Sequence, residues 1–261
     1  MAFQEAFIEA DGFRIRYLTA GEGTPLIHLH GAGGLRLTRA HELLSKRHRV
    51  CVFEMPGFGT SAENSTSKSI SDLAATMVAA AHKLDIKSCD VMGTSFGARA
   101  ALWMALHQPG LVRAIVLEAP AAIRPDGHQP PSGTPEEIAR LIFAHPERAS
   151  PSQPPDQSVR IQQTLLVRRL RGPDRDPELE PRLRDLATPV LVLFGTLDRV
   201  MPPQMGRFYK TLLPNCHLVF VYDAGHEIST DRPEAFADVV DDFLERHEAF
   251  VINRRATLIE P

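Results

Sequence analysis

"VMGTSFGARA", residues 91–100, places a serine between two glycines where an extended apolar run becomes helical. The residues before Gly93 favour a strand, and those after Gly97 are good helix formers. At a strand-to-helix turn, this spacing holds the serine backbone in a strained conformation and exposes its hydroxyl. We therefore predict that Ser95 is a nucleophile. Because G-x-S-x-G alone is a weak signal, an ordinary helix-entry serine is the alternative that the surrounding chain has to exclude.

Strand-like and helix-like segments alternate on both sides of this turn. Strands are predicted over residues 13–20, 25–30, 48–54, 89–94, 112–120, 188–195 and 217–222, and helices over 69–84, 97–109, 203–213 and 232–247. Strands that alternate with helices pair in parallel, and strands that are apolar throughout are covered on both faces. The fold predicted is α/β, a doubly wound and mostly parallel sheet that follows an antiparallel N-terminal hairpin.

The segment 121–187 interrupts this alternation. Of the 21 prolines in the chain, 13 fall between Pro120 and Pro189 inclusive, and no strand-like run lies among them. Two amphipathic helices are predicted there, over 134–145 and 156–170. We therefore expect a core domain of residues 1–120 and 188–261, with 121–187 forming a small helical cap inserted before the strand that leads to Asp198.

A serine hydroxyl needs a base, and the base needs an orienting carboxylate. "FGTLDRVMP" places Asp198 in the loop after one apolar strand, and "YDAGHEIST" places His226 in the loop after the next. Both loops leave the same sheet edge as Ser95, so the three side chains are predicted to converge as a catalytic triad. Glu118, at the end of another strand, is a rival acid. Asp231 is predicted to cap the last helix.

A glycine-rich turn, "HLHGAGG" (28–34), follows another strand of the same sheet. With Ser95 as nucleophile, the main-chain N–H groups of Ala32 and Phe96 would form an oxyanion hole. A phosphate cradle is the alternative. The turn is followed by Leu-Arg-Leu, lacks the lysine-serine ending of a P-loop and fits no dinucleotide fingerprint, so no cofactor and no metal site are predicted.

The chain has 261 residues, 43% of them hydrophobic, and a net charge of -3. So small an excess of charge gives no electrostatic case for nucleic acid or membranes as partners. The N-terminus lacks the basic start and apolar core of a signal peptide, and the three cysteines are scattered, which predicts a cytoplasmic protein with free thiols. The segment 249–261 could pack on the domain or on a second subunit, so a homodimer is left open.

Taken together, "HGAGG", "EMPGFGTS", "GTSFGA", "GTLDRVMP" and "AGHEISTDRPEAF" resemble the motifs of α/β-hydrolase fold enzymes, in the family order and over nearly the whole chain. The resemblance departs at Glu54, where aspartate is common, and at Thr94, where histidine is frequent. It implies a serine hydrolase of small carboxylic esters or lactones. A carbon–carbon bond hydrolase of a ring-cleavage dienoate and a non-catalytic ligand-binding member of the fold are the alternatives.

Three features are candidates for the substrate pocket. Phe58 and Met201 are expected either to line it or to belong to the core. The arginines of "VRRLRG" (167–172) could supply a cation for an acidic substrate or form a solvated helix face.

Overall fold

The computed structural model describes residues 2–149 and 156–250. It forms an eight-stranded sheet with the order β1-β2-β4-β3-β5-β6-β7-β8. The strands are β1 (Gln4–Ala10), β2 (Phe13–Ala20), β3 (Pro25–Leu29), β4 (Arg49–Phe53), β5 (Cys89–Thr94), β6 (Val112–Glu118), β7 (Val190–Gly195) and β8 (Cys216–Val221). Strand β2 pairs antiparallel with β1 and β4, and the pairs from β4 to β8 are all parallel. The mostly parallel α/β sheet with its N-terminal hairpin is therefore confirmed.

Helices cover both faces of the sheet, because its central strands are apolar on both sides. The helices are α1 (Arg39–Leu44), α2 (Ile70–Lys83), α3 (Phe96–His107), α4 (Pro135–Ile142), α5 (Gln157–Leu170), α6 (Leu179–Leu183), α7 (Gly206–Leu212), α8 (Ile228–Asp231) and α9 (Pro233–Arg246). Helices α2, α3 and α7 share one hydrophobic cluster with one sheet face, and α1 and α9 share a second cluster with the opposite face. Each face thus buries its own core, which fixes the sheet rigidly between two helical layers.

Between β6 and β7 the described residues are helices and turns, and none is a strand. Helix α4 begins at a full capping box, in which the Thr134 hydroxyl accepts from the Glu137 N–H and the Glu137 side chain accepts from the Thr134 N–H. Helix α5 buries Leu166 and Leu170 against the core. Part of the segment expected to be a cap, 150–155, lies outside the described residues, as does 251–261 of the expected core domain.

Three short helices were not predicted from the sequence: α1, α6 and α8, which have six, five and four residues. A helix of one turn shows no periodicity, so tertiary contacts rather than local pattern decide it. In the described part of the chain, no helix combines the length and apolarity needed to cross a bilayer.

Candidate active site

Ser95 lies between β5 and α3 with a left-handed backbone, φ 51 and ψ -108. A non-glycine residue rarely adopts a positive φ, so the surrounding contacts must hold it there. Its N–H donates to the Glu118 carbonyl at 2.9 Å, and its carbonyl accepts from the Ala121 N–H at 3.1 Å. Neighbouring strand β6 and the chain that follows it therefore fix the turn from one side.

The two glycines that flank Ser95 are required sterically. A Cβ on Gly93 would lie 2.6 Å from the Cα of Ala98, and one on Gly97 would lie 2.2 Å from the Leu29 carbonyl oxygen. Strand β5, helix α3 and the end of β3 thus approach too closely for any side chain at either position. The predicted geometry of the serine turn is therefore present.

His226 and Asp198 meet at the carboxyl edge of the sheet. His226 Nδ1 lies 2.9 Å from Asp198 Oδ2, and both residues are buried. The second carboxylate oxygen, Oδ1, accepts the N–H groups of Val200 and Met201 at 2.8 Å each. Because an ionised carboxylate accepts all three bonds, His226 is held with its Nδ1 protonated and Nε2 free to accept a proton.

In the described part of the chain, no hydrogen bond joins the rival acid Glu118 to His226; its carboxylate accepts from Thr94 and from the main chain of Ser229. Asp223, two residues beyond the end of β8, pairs with His145 at 2.9 Å. Among the hydrogen bonds of the described residues, none joins the Ser95 hydroxyl to His226. Such bonds are often long in ligand-free sites and tighten when substrate is bound.

The loop that follows β3 brings Ala32 to the Ser95 side of the sheet. His30 anchors this loop, since its Nε2 accepts the Met55 N–H at 3.0 Å while its Nδ1 donates to the Gly31 carbonyl at 2.8 Å. Burial lowers the pKa of His30 to about 4, so the ring stays neutral. In the described structure, no hydrogen bond uses the Ala32 N–H.

The N–H of Phe96 belongs to the first residue of α3, where a helix offers no internal acceptor. Ser95, Ala32 and Phe96 all line one cavity of about 90 Å³. A carbonyl oxygen bound there would find two main-chain donors beside the serine hydroxyl.

Of the two residues predicted as pocket candidates, Met201 lies in the wall of this cavity and Phe58 is not among the described residues that form it. Phe58 is fully buried, with its ring 4.6 Å from that of His30 and 6.2 Å from that of Phe96. It supports the wall from behind because the "PGFG" turn points its side chain into the core.

Three arginines, Arg99, Arg124 and Arg171, also line the cavity, together with His128. Only Arg171 lies in the segment 167–172 that was singled out for a cation. Arg99 belongs to α3 and Arg124 follows β6, and nothing in their local sequence distinguishes them from surface arginines. These residues are brought together by tertiary structure alone.

The arginines also fasten the segment after α5 to the core. Arg99 forms a buried ion pair with Asp176. Arg124 pairs with Asp174 at 2.9 Å and donates to the carbonyls of Gly172 and Pro173. Burial lowers the pKa of Arg124, and the hydrogen bond to Asp174 opposes this shift. All three guanidinium groups of the cavity wall are therefore paired with the carboxylates of Asp174 and Asp176.

Asp231 has a different role from the one predicted. It does not cap α9; its fully buried carboxylate accepts the N–H groups of Gly225, Ala144 and His145 at 2.7, 2.9 and 2.9 Å. The His226 N–H adds a bond to the Ile142 carbonyl at 2.7 Å. The His226 loop is therefore joined directly to the end of α4.

A family model described as the alpha/beta hydrolase family matches residues 26–239, and the chain belongs to this hydrolase family. One relative is the 2-hydroxy-6-oxo-6-(2'-aminophenyl)hexa-2,4-dienoic acid hydrolase of Metapseudomonas resinovorans, 26% identical over 94% of this chain and 92% of that protein. Another is the pimeloyl-[acyl-carrier protein] methyl ester esterase of Neisseria meningitidis, also 26% identical, over 84% of this chain and 92% of that protein.

Solved structures agree on the fold. A serine hydrolase involved in carbazole degradation superposes with a TM-score of 0.72 and 23% identity, covering 94% of this chain and 99% of that one. A bacterial membrane phospholipase A superposes with a TM-score of 0.75 and 21% identity, covering 93% and 86%. Both likenesses concern the fold alone.

Proposed function

We propose that this protein is a serine hydrolase that cleaves small carboxylic esters or lactones through an acyl-enzyme on Ser95. The observation that carries the proposal is the strained Ser95 turn at the same sheet edge as the His226–Asp198 pair. A half-buried serine that lines a cavity in a strained backbone conformation is typical of a functional site. The esterase among the relatives supports the same chemistry.

In the proposed reaction, His226 Nε2 takes the proton of the Ser95 hydroxyl as Oγ attacks the ester carbonyl carbon. The negative charge moves to the carbonyl oxygen, where the N–H groups of Ala32 and Phe96 stabilise it. The C–O bond to the alcohol breaks, and His226 returns the proton to the departing alkoxide. A water molecule, deprotonated by His226, then attacks the acyl-enzyme and releases the acid and free Ser95.

Asp198 stabilises the imidazolium form of His226 in both half-reactions without itself taking the proton. The oxyanion donors each contribute about 3 kcal/mol to the barrier reduction in enzymes of this kind. With these residues, each step of the proposed reaction proceeds without a metal or an organic cofactor.

Hydrolysis of a p-nitrophenyl ester series, from acetate to octanoate, tests this proposal. Ser95→Ala is compared with wild type and with Ser71→Ala, a serine of α2 outside the cavity. We expect turnover that Ser95→Ala abolishes and Ser71→Ala preserves. Ester turnover that survives in Ser95→Ala would contradict the mechanism, and ligand binding without any turnover would favour the non-catalytic member of the fold.

A second candidate is hydrolysis of a carbon–carbon bond in an acidic dienoate, which is favoured by the positive charge of Arg99, Arg124 and Arg171 at the cavity. A substrate carboxylate would pair with such a group. The dienoic acid hydrolase among the relatives points the same way. Faster turnover of a dienoate than of p-nitrophenyl acetate, with both dependent on Ser95, would favour this candidate over the first.

A further inference from the structure

Glu118 joins the two halves of the candidate site through three hydrogen bonds. Its Oε2 accepts the Thr94 hydroxyl at 2.6 Å, its Oε1 accepts the Ser229 N–H at 2.6 Å, and its carbonyl accepts the Ser95 N–H at 2.9 Å. Thr94 directly precedes the candidate nucleophile, and Ser229 follows the candidate base by three residues. One buried side chain therefore connects the strand end that bears Ser95 to the helix that follows His226.

We propose that Glu118 is a positioning residue whose ionised carboxylate holds the Ser95 turn and the His226 loop in register. It does not touch substrate, and it does not replace Asp198 beside His226. The inference rests on the proposed function for its kinetic consequence, although the structural link itself exists without it.

The Thr94 hydroxyl lies at one end of a chain of buried hydrogen bonds that begins at Thr38. The Thr38 N–H donates to His41 Nδ1 at 3.0 Å, so the hydrogen of this neutral ring is on Nε2. His41 Nε2 then donates to His28 Nδ1 at 2.8 Å, and His28 Nε2 donates to the Thr94 hydroxyl oxygen at 2.9 Å. Burial lowers the pKa of His41 to about 4 and that of His28 well below its usual value, so both rings are neutral.

With His41 Nδ1 accepting the Thr38 N–H, the order of donors leads to Thr94, whose hydroxyl hydrogen is directed at Glu118. The Thr38 hydroxyl, 2.9 Å from the same nitrogen, is the acceptor that the opposite order would use. The Ser229 N–H also points at the same carboxyl group. Two fixed donors demand two acceptor oxygens, which only the ionised group provides fully. A protonated carboxyl would direct its own hydrogen toward one of these donors or leave that hydrogen without an acceptor.

Burial makes the ionisation of Glu118 costly. His30, Arg36 and Glu227 line a cavity of about 20 Å³ beside it, and Arg36 pairs with Glu227 at 3.2 Å. Burial raises the pKa of Glu118 to about 7, the hydrogen bonds from Thr94 and Ser229 lower it, and the Glu227 charge raises it. Glu118 therefore takes up a proton near pH 7, and its protonated form offers one full acceptor oxygen in place of two.

The test compares wild type with Glu118→Gln, which has the same shape and does not titrate. The amide group can accept one of the two donors and must oppose the other. Asp90→Asn is the matched control, because Asp90 is also a buried carboxyl group of raised pKa but lies at the opposite end of β5.

Two measurements separate this inference from the proposed function. The first is hydrogen exchange, corrected for intrinsic rates, of the segments 92–98 and 226–231 between pH 6 and 8. The second is the pH profile of kcat and KM for p-nitrophenyl acetate. We expect exchange of both segments to be raised at every pH in Glu118→Gln and to be unchanged in Asp90→Asn. We expect kcat of Glu118→Gln to fall about 10- to 100-fold at pH 8 with little change in KM.

In addition, the acid limb of kcat should be shallower by one proton in Glu118→Gln and unchanged in Asp90→Asn. The inference would be overturned if Glu118→Gln exchanged these segments at the wild-type rate, or if the acid limb of its kcat profile were as steep as that of wild type. Wild type that fails to hydrolyse the ester would contradict the proposed function, and the exchange result would still decide the role of Glu118.

Discussion

Asp198 and His226 are joined by a 2.9 Å hydrogen bond between Oδ2 and Nδ1, and the carboxylate oxygen not used by His226 is fixed by two main-chain N–H groups. The carboxylate therefore cannot rotate away from the imidazole without breaking bonds to Val200 and Met201. This pair, rather than any contact of Glu118, orients the candidate base.

Asp198→Asn should reduce kcat about 10⁴-fold, because the amide no longer selects the His226 tautomer that accepts from serine. Glu118→Gln should cost far less, about 10- to 100-fold, since it displaces elements without changing the tautomer. Steady-state kinetics on p-nitrophenyl acetate check the ranking. The reverse order would indicate that Glu118, at the end of β6, is the acid that orients His226.

Gly97→Ala should destabilise the protein by about 3 kcal/mol or more, because the new Cβ would overlap the carbonyl oxygens of Leu29 and His30 at 2.2 and 2.5 Å. Gly110→Ala is the control, since nothing lies within 4 Å of a Cβ at that turn. Urea unfolding measures both. Equal stability of the two variants would mean that the Ser95 turn has more room than the structure gives it.

Asp231→Asn should lower both stability and kcat. The amide nitrogen would face a main-chain donor where the carboxylate now accepts three, which leaves a buried N–H unpaired at a cost of about 1–3 kcal/mol. The His226 loop is attached through Gly225 to this side chain, so kcat should fall with KM little changed. Loss of stability at unchanged kcat would show that the loop holds its place without the link to α4.

Short acyl chains should be preferred. The cavity of about 90 Å³ is far smaller than the roughly 300–1,000 Å³ of typical ligand pockets. Acetate should therefore exceed octanoate in kcat/KM, and Val167→Ala, which removes two methyl groups from the wall, should shift the optimum to longer chains. An octanoate optimum in wild type would indicate that the segment lining the cavity opens during turnover.

The protein should lose stability in acid as the pH falls from 6.5 toward 4. His30 and His41 have pKa values of about 4 in the folded state because they are buried, and of about 6.5 when unfolded, so the unfolded chain binds more protons in this window. Each histidine contributes about 3 kcal/mol to the free energy of unfolding above pH 6.5, and this contribution is lost as the pH falls toward 4.

Glu118 acts in the opposite direction, since its folded pKa of about 7 lies above the unfolded value. Its contribution is present below pH 4.5 and is lost as the pH rises through 7. The two histidines outweigh it, so urea unfolding should give a lower free energy at pH 5 than at pH 7. His41→Gln, which does not titrate, should flatten this dependence. If the free energy of unfolding of His41→Gln depended on pH as in wild type, His41 would not contribute to the acid sensitivity.

Periodicity and turn chemistry were sufficient to predict the sheet, its long helices and the placement of Ser95, His226 and Asp198, because each signal is local in sequence. The close approach of strand and helix at Gly93 and Gly97 could be predicted for the same reason, since both glycines flank Ser95 in the sequence. The sequence could not predict that Asp231 binds the His226 loop, or that Arg99 and Arg124 reach the cavity. The Asp231 bonds to Ala144 and His145 span 87 and 86 positions, and the arginine contacts depend on how a proline-rich segment folds back.

Glu118 illustrates the same limit. Its position at the end of β6 suggested a rival acid, yet its partners are chosen by neighbours from β5 and α8, and by a donor chain that begins at Thr38. Nothing in the local sequence of the two histidines of that chain, His28 and His41, indicated that they are hydrogen-bonded to each other. Polar networks of this kind are specified by packing in three dimensions.

The most direct test of the central claim is covalent labelling with an alkyl fluorophosphonate, followed by peptide mapping of the adduct. Wild type should acquire one phosphonyl group, located on Ser95, while Ser95→Ala acquires none and Ser71→Ala is labelled like wild type. A folded wild type that remains unlabelled, or an adduct on any other residue, would contradict the assignment of Ser95 as the nucleophile.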